Sequence, residues 1–589
     1  MAANGTKSED SLRPYKTTKD SAYANDIEPL YTIQDEGSKS NPISTFIDSF
    51  KPLEFDEEEY EVSNLTPTER IEIATARHPL ARKLKSRHLQ MIAIGGSIGT
   101  GLFVGSGYAL ANGGPAAVLI GYTIVGYALL CVVFALGEMS VQFPVSGSFN
   151  AFFSRFVDPS WGFALGIMYA CSWMISYPSE LIACALTVQY WNTEINGAVW
   201  IAVFWSVIAI INLFGVKGFA EVEFVLSLIK VLAVILFIIV SITIICGVGD
   251  QGYRGGRYWH DPGAFNHGFK GVCSVFVSAA FSFGGIELVA LTAAETENPR
   301  KSLPKATKQV FWRIFIFYIM TAIVIGCLVP YTNPLLLNGD GISASPFVIA
   351  ITAGGINVLP HVMNAVILLA VVSVGNASVY GFSRSLCSLA AQGLVPSIFG
   401  YIDKAGRPIV SVAFIKVVGL LGFLVISENE SIVFTWFFSV CSLAAFFTWA
   451  AICFTHLRWR WALDAQGRSL DEVAFVSPMG TWGSYSGLII LGLIVMGEIW
   501  VSIWPIGSSS ANVVQFWQNC LSLPILILMI VGHKTYYGTW GQLMVNLEEV
   551  DLDSGRSELN VEQLKQEIAD ERAELREMPL WKRIYKFWC

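Results

Sequence analysis

Charge is scarce in this chain: 14% of its 589 residues are Asp, Glu, Lys or Arg, against about 25% in an average soluble domain. So few charges cannot cover a water-exposed surface of this size, which excludes a soluble globular protein. Paired cysteines are missing as well. The eleven cysteines stand singly in the sequence, Cys131, Cys246 and Cys441 within apolar segments, and no C-x-x-C occurs. That spacing excludes a disulfide framework or a zinc site and leaves small buried residues as the reading. The first 80 residues have no early apolar core, so no signal peptide is expected and the first apolar segment should lead insertion.

Long apolar runs take the place of charge. Hydrophobic residues make up 53% of the chain, and the mean hydropathy is +0.53. Runs such as AVLIGYTIVGYALLCVVFA at 117–135 and LAVILFIIVSITII at 232–245 approach or reach the roughly 20 residues of a transmembrane helix. Twelve spans are expected, centred near Gly99, Tyr127, Ser172, Ser206, Val234, Phe283, Ala322, Val371, Gly419, Ala444, Leu493 and Leu523. The fold class is an all-α polytopic membrane protein: a tail over 1–87, a membrane domain over 88–534 and a second tail over 535–589. An even span count puts both tails on one side.

Lys and Arg say which side. Arg82, Lys83, Lys85 and Arg87 precede the first span, Arg300, Lys301, Lys305, Lys308 and Arg313 follow the sixth, and Arg458, Arg460 and Arg468 follow the tenth. The connections at 111–115, 332–345, 427–431 and 505–512 carry none; only the loop with Arg254, Arg257 and Lys270 departs from the rule. Both tails are expected in the cytosol, which leaves the sequons at Asn4 and Asn64 unused. The first tail is polar and aperiodic and reads as disordered. In the second, Val561, Leu564, Ile568 and Leu575 repeat at helical steps, an amphipathic helix. The closing LWKRIYKFWC interleaves rings and cations, as an interfacial anchor does.

Residues 91–107, MIAIGGSIGTGLFVGSG, place six glycines in an apolar segment, although glycine inside a helix costs about 1 kcal/mol relative to alanine. A dinucleotide loop would need a preceding strand and a βαβ unit, and neither is present. Close helix packing through small-x-x-x-small pairs and a deliberate helix break remain. The break gains support about 185 residues later, where SAAFSFGGIELVAL sets Gly284, Gly285 and Glu287 at bilayer depth. Glycine-interrupted segments at matching positions of two halves point to a transporter site. Spans one and six then open a five-plus-five inverted repeat, with two spans over. Backbone N–H groups at a restarting helix attract an anion, and carbonyls at the sixth-span break accept from a cation. The two together suit a zwitterion such as an α-amino acid.

RHLQMIAIGGSIGTGLFVGSG, FSFGGIE, ENPRKSLPKATKQVFWRI, EFVLSLIKV, SVGNASVYGFSRSL and the tail pattern DLDSGR…LKQEIADE resemble the fungal amino-acid permeases of the amino acid–polyamine–organocation superfamily. The likeness runs from about Arg87 to the terminal FWC and is greatest to the general amino-acid permease branch. It implies the leucine-transporter fold and proton-driven, multi-pass uptake at the plasma membrane, reached through the ER and Golgi with endosomal and vacuolar turnover. The implied substrate site comprises Gly95, Gly96, Ser97, Ile98, Gly99, Thr100 and Gly101 at the first break and Ser282, Phe283, Gly284 and Glu287 at the sixth span. Phe283 is a lid candidate or a packing residue. Tyr177, Glu180 and Asn376, with Ser373, line the pocket if their spans face it.

Lys230, flanked by Ile229 and Val231, is a coupling or ion-replacing residue by resemblance, or else a lysine that snorkels toward a helix end. Glu287 is the second coupling candidate, as proton carrier or as partner of the substrate amine. Glu138 reads as a gate or packing contact and Glu498 as structural. Lys7, Lys16, Lys19, Lys39 and Lys51 are ubiquitination candidates, with a ligase and adaptor as partners. Glu549, Asp551 and Asp553 resemble an export signal, and Cys589 after an aromatic-basic run suggests S-acylation. No cofactor or metal is expected beyond the proton as coupling ion; the partners are L-amino acids, protons and membrane lipid, not nucleic acid. No nucleophile, metal cluster or cofactor loop survives scrutiny, so an enzyme is not expected. Rival readings are a narrower permease, for basic amino acids, proline or polyamines, and a non-transporting sensor of the same fold.

Overall fold

The computed structural model describes residues 47–51, 86–556 except 146, 250–251, 293–294, 297–298, 339–344, 356–357, 427–429 and 509, and residues 566 and 578–579. Lys7, Lys16, Lys19, Lys39, Cys589 and the amphipathic repeat at 561–575 lie outside the described residues. The chain divides into two contact units, 1–49 and 50–589; of the first, only Ile47, Asp48 and Ser49 are described. The elements described are those of the second unit.

Its described elements are helical. α1 (Ser86–Gly95) ends at the glycine run. After a break the chain restarts as a π-turn over Gly101–Gly105 and continues as α2 (Ser106–Gly113). Gly114, at φ +81, turns the backbone into α3 (Pro115–Gln142), which has Pro at its first position, where a missing N–H costs nothing. Its 28 residues rise about 42 Å, enough to cross a bilayer's hydrocarbon core. Asp158 caps α4 (Pro159–Gln189) by accepting from Ser160 N–H at 2.9 Å. Asn196 caps α5 (Gly197–Leu213) in the same way.

α6 (Gly215–Ile245) shows why an apolar helix can still carry charge. Val225, Leu228, Leu232, Leu236 and Ile239 are exposed on one side, whereas Glu223, Ser227 and Lys230 are buried on the other. α7 (Gly268–Phe283) stops at Gly284 and restarts as α8 (Leu288–Leu291). α9 (Pro299–Arg313) runs through a π-segment, Ile314–Met320, into α10 (Thr321–Leu328). α11 (Leu359–Ala391), α12 (Ile409–Val418, extended by a 3-10 stretch Gly419–Ile426), α13 (Glu430–Ala465) and α14 (Gly480–Ile503) follow. α15 (Val513–Cys520) and α16 (Ser522–Tyr537) meet at 57°.

Among the described residues, eight helices are long and apolar enough to cross a membrane, or nine if the α15–α16 pair is one span. The expected count was twelve. The three centres outside those nine fall on different elements. Gly99 lies in the break after α1, Ser172 lies in the 31-residue α4 with Pro178 inside it, and Ser206 lies in the 17-residue α5.

The segment after α16 folds back onto the ends of α4 and α13. Val545 N–H donates to Val157 O at 2.9 Å, and Gln466 donates to Leu547 O and Val550 O at 3.0 and 2.8 Å. Arg458 also donates to Val545 O. Val550 and Leu552 are buried, so residues 545–556 form a clasp on this face.

Candidate functional site

The two helix breaks meet. Gly101 lies so close to α7 that a β-carbon on it would stand 2.4 Å from Ser282 Cα. Gly285, at φ +94, would bring one within 2.7 Å of Gly96 O. Glycine is required at both places, at Gly101 by the close approach and at Gly285 by φ as well. Tyr318, on the π-segment before α10, joins the two breaks: its hydroxyl lies 2.7 Å from Ser97 O and 2.8 Å from Ser282 O.

A cavity of about 60 Å³ opens between the breaks and α4. At roughly 10–15 Å³ per water-sized position it has room for about four to six heavy atoms, the core of a small zwitterion. Gly96, Ser97, Gly99, Thr100 and Gly101 line one side, Gly284, Gly285 and Glu287 another, and Glu180 a third. Tyr169, Ser172, Trp173, Ser176, Ala280, Phe281, Val374, Cys441 and Ala445 complete the wall. No Lys, Arg or His is among the described lining residues.

The two carboxylates are held differently. Glu180 Oε2 accepts from Thr100 Oγ1, while its Oε1 is buried with no hydrogen-bond partner among the described residues. Glu287 accepts three long hydrogen bonds from neutral donors: Tyr169 Oη at 3.4 Å, Gly285 N–H at 3.3 Å and Trp449 Nε1 at 3.4 Å. Bonds of that length are weak. Glu287 therefore keeps accepting capacity for a cationic group in the cavity. The helix restarting at Thr100 supplies the opposite pole, because its first-turn N–H groups have no intrahelical acceptor.

Other expected residues stand elsewhere. Gly95 closes α1, and Ile98 is buried outside the cavity lining. Phe283, the lid candidate, instead packs on Tyr318 and Tyr122 at 4.1 and 5.8 Å between ring centres; Phe281 lines the cavity. Ser282 Oγ bonds Tyr122 at 2.9 Å. Tyr177 accepts from Lys416 Nζ at 2.7 Å, a buried lysine that sequence reading passed over. Asn376 accepts from Asn212 at 2.9 Å. Lys230 lies outside the cavity lining and donates to Ser373 at 2.6 Å.

Glu138 fastens helices together: Arg460 is 2.6 Å away, His456 is 3.1 Å away, and Ser477 N–H donates at 2.9 Å. Glu498 is buried, and neither of its carboxylate oxygens has a hydrogen-bond partner among the described residues. The acidic tail residues belong to the clasp. Asp551 pairs with Arg155 at 3.2 Å and Asp553 with Arg468 at 3.0 Å, while Glu549 borders a second cavity of about 240 Å³. Burial alone would raise the Asp551 carboxyl. The Arg155 guanidinium and the N–H groups of Ser554 and Asp553 outweigh it and hold the group below the usual carboxylate range.

A family profile described as amino acid permease matches residues 88–544. The chain belongs to the amino acid permease family. This permease is 67% identical over 562 residues to an S-adenosylmethionine permease of Candida albicans, covering 95% of this chain and 92% of that one. It is 48% identical to a general amino-acid permease of Saccharomyces cerevisiae, covering 94% and 93%. It is also 48% identical to an S-adenosylmethionine permease of the same yeast, covering 95% and 96%. These relatives are carriers rather than enzymes, and this permease is a membrane protein.

Proposed function

We propose that this permease takes up amino acids together with protons across the plasma membrane by alternating access. In this reading twelve spans form a five-plus-five inverted repeat, with both tails in the cytosol. The observation that carries it is the cavity between two facing helix breaks, with N–H donors on one side and a weakly held carboxylate on the other. The substrate carboxylate sits at the restart around Gly99–Gly101, and its ammonium sits at Glu287. A proton entering with a neutral zwitterion carries one charge inward. At 100 mV that is worth about 2.3 kcal/mol, roughly a fifty-fold gradient.

Substrate range is broad in this proposal, as in the general amino-acid permease that the chain resembles. A narrower reading, for amino acids with a cationic side chain such as a sulfonium, has its own support. Two carboxylates and the rings of Tyr169, Trp173 and Phe281 line a cavity with no basic residue among its described lining, and one relative at 67% identity is an S-adenosylmethionine permease. Rings favour cations over their faces. Such a side chain exceeds the present cavity, so the lining must open to admit it.

Uptake of labelled leucine, lysine and S-adenosylmethionine in cells lacking their own permeases separates the two. Uptake of all three supports broad range, and S-adenosylmethionine alone supports the narrow reading. Binding to the purified protein without uptake into proteoliposomes under a pH gradient would sink both and leave a sensor.

A further inference from the structure

Behind the cavity the membrane interior holds a row of polar groups that substrate binding does not use. Glu223, Ser227 and Lys230 follow at steps of four and three on α6, so they share a helix face, and all are buried. Lys230 Nζ donates to Ser373 Oγ of α11 at 2.6 Å, and Ser373 Oγ donates to Glu223 Oε1 at 2.5 Å. The direct separation of Lys230 Nζ and Glu223 Oε1 is longer, 3.8 Å. Among the described residues, Glu223 Oε2 is buried with no hydrogen-bond partner, where a carboxylate oxygen normally has one.

The surroundings give this row a direction. On the cavity side, Val374, the neighbour of Ser373 on α11, lines the cavity together with Glu180. Ser227 Oγ reaches Glu223 Oε1 at 3.3 Å and Met91 O of α1 at 2.9 Å. One turn before Glu223, Phe219 stacks flat on Tyr380 at 4.5 Å. Tyr380 in turn donates to Glu295, which pairs with Arg384 at 2.7 Å. His88 and Glu221 pair at 3.2 Å nearby. These contacts close the α6 end away from the cavity.

We propose that Glu223 is the acceptor of the coupled proton, receiving it from Lys230 through the Ser373 hydroxyl; this rests on the proton-coupled reading above. An N–H bond of the Lys230 ammonium breaks, its electron pair stays on Nζ, and the proton bonds to Ser373 Oγ. The proton already on Ser373 passes to Glu223 Oε1. The products are a neutral amine and a neutral carboxylic acid, so the net charge of the row is unchanged. Opening of the Phe219–Tyr380 stack exposes Glu223, which releases the proton; Lys230 regains one from the cavity side.

The full-length permease in proteoliposomes tests this with labelled leucine and S-adenosylmethionine as probes. Three readouts are taken: accumulation under an imposed pH gradient, internal acidification by a pH-sensitive dye, and exchange of labelled for unlabelled substrate without a gradient. A gradient of one unit drives about tenfold accumulation by a one-proton carrier. Glu223→Gln loses that accumulation and the acidification but keeps exchange with unchanged KM. Ser373→Ala does the same, and Glu223→Asp restores part of both. Wild-type accumulation and acidification in Glu223→Gln would overturn the relay. So would equal loss of exchange and accumulation that Glu223→Asp does not repair. If Glu223→Gln fails to reach the membrane, Ser373→Ala carries the test alone. Uptake by the wild type without acidification would instead sink the coupled reading itself.

Discussion

Two groups of charges in this permease look alike on paper and differ in physics. Lys230 and Glu223 lie inside the membrane domain with side chains 0% exposed, and Ser373 bridges them. Arg468, Glu472, Asp553 and Arg556 lie where the clasp meets the segment after α13, and there Asp553 is 73% and Glu472 27% exposed. This contact has more pairs at shorter distances: 2.8 Å for Arg468–Glu472 and 3.1 Å for Arg556–Glu472. Counting contacts would make it the stronger device. Solvent reverses the ranking, because water and salt screen exposed pairs while a buried charge left alone has nothing to replace its partner.

The largest expected effect breaks the inner group. Lys230→Ala strands Glu223 in the interior and should cost about 3–5 kcal/mol, read as the midpoint of thermal unfolding in detergent. A loss below about 1 kcal/mol, the ordinary range for surface pairs, would erase the distinction. Next, the double replacement Lys230→Met with Glu223→Leu should recover most of that stability while abolishing the proposed proton-driven accumulation, since an apolar pair often matches a buried ion pair. Recovery of transport along with stability would show the charges to be structural only.

A smaller effect is expected from Arg468→Ala, which removes pairs to Glu472 and Asp553. It should cost no more than about 1 kcal/mol and less as salt rises, measured by hydrogen exchange across 545–556. A salt-independent loss would mean that the clasp is effectively buried. The smallest concerns pH. Hydrogen bonds from Arg468 hold Glu472 below its usual range, and Asp551 is likewise lowered. A lowered carboxylate contributes its stability above its unfolded value and loses it as pH falls through the folded one. Protection of 545–556 should therefore be flat near neutrality and weaken only in the acid range below the ordinary carboxylate values. Loss between pH 6 and 7 would point to a histidine instead.

The helix breaks were legible because glycine clusters and an intramembrane acid are costly in an apolar run, so each marks a place where something other than packing is at work. Glu223 was legible too and was passed over: EFVLSLIK repeats polar residues at four and three, the same face as Lys230. Phe281 and Phe283 were not separable in that way. Two residues apart, they point to nearly opposite sides of a helix, and phenylalanine suits either a cavity wall or a packed interior. Tyr318, Trp173 and Tyr169 carry the same ambiguity, since an aromatic ring in a membrane helix is ordinary packing until its neighbour is known. Asn376 and Tyr177 are buried but stand outside the cavity lining, bonded to Asn212 and Lys416.

By itself the sequence determined the solvent, the break points and the family. Those follow from hydropathy, glycine's cost in a helix and motifs that occur in order along one chain. Only tertiary structure decided which inward-facing polar groups share a cavity and which are paired elsewhere. Helical periodicity assigns a side chain to a face, but its partner comes from another helix up to several hundred residues away, and packing alone brings the two together.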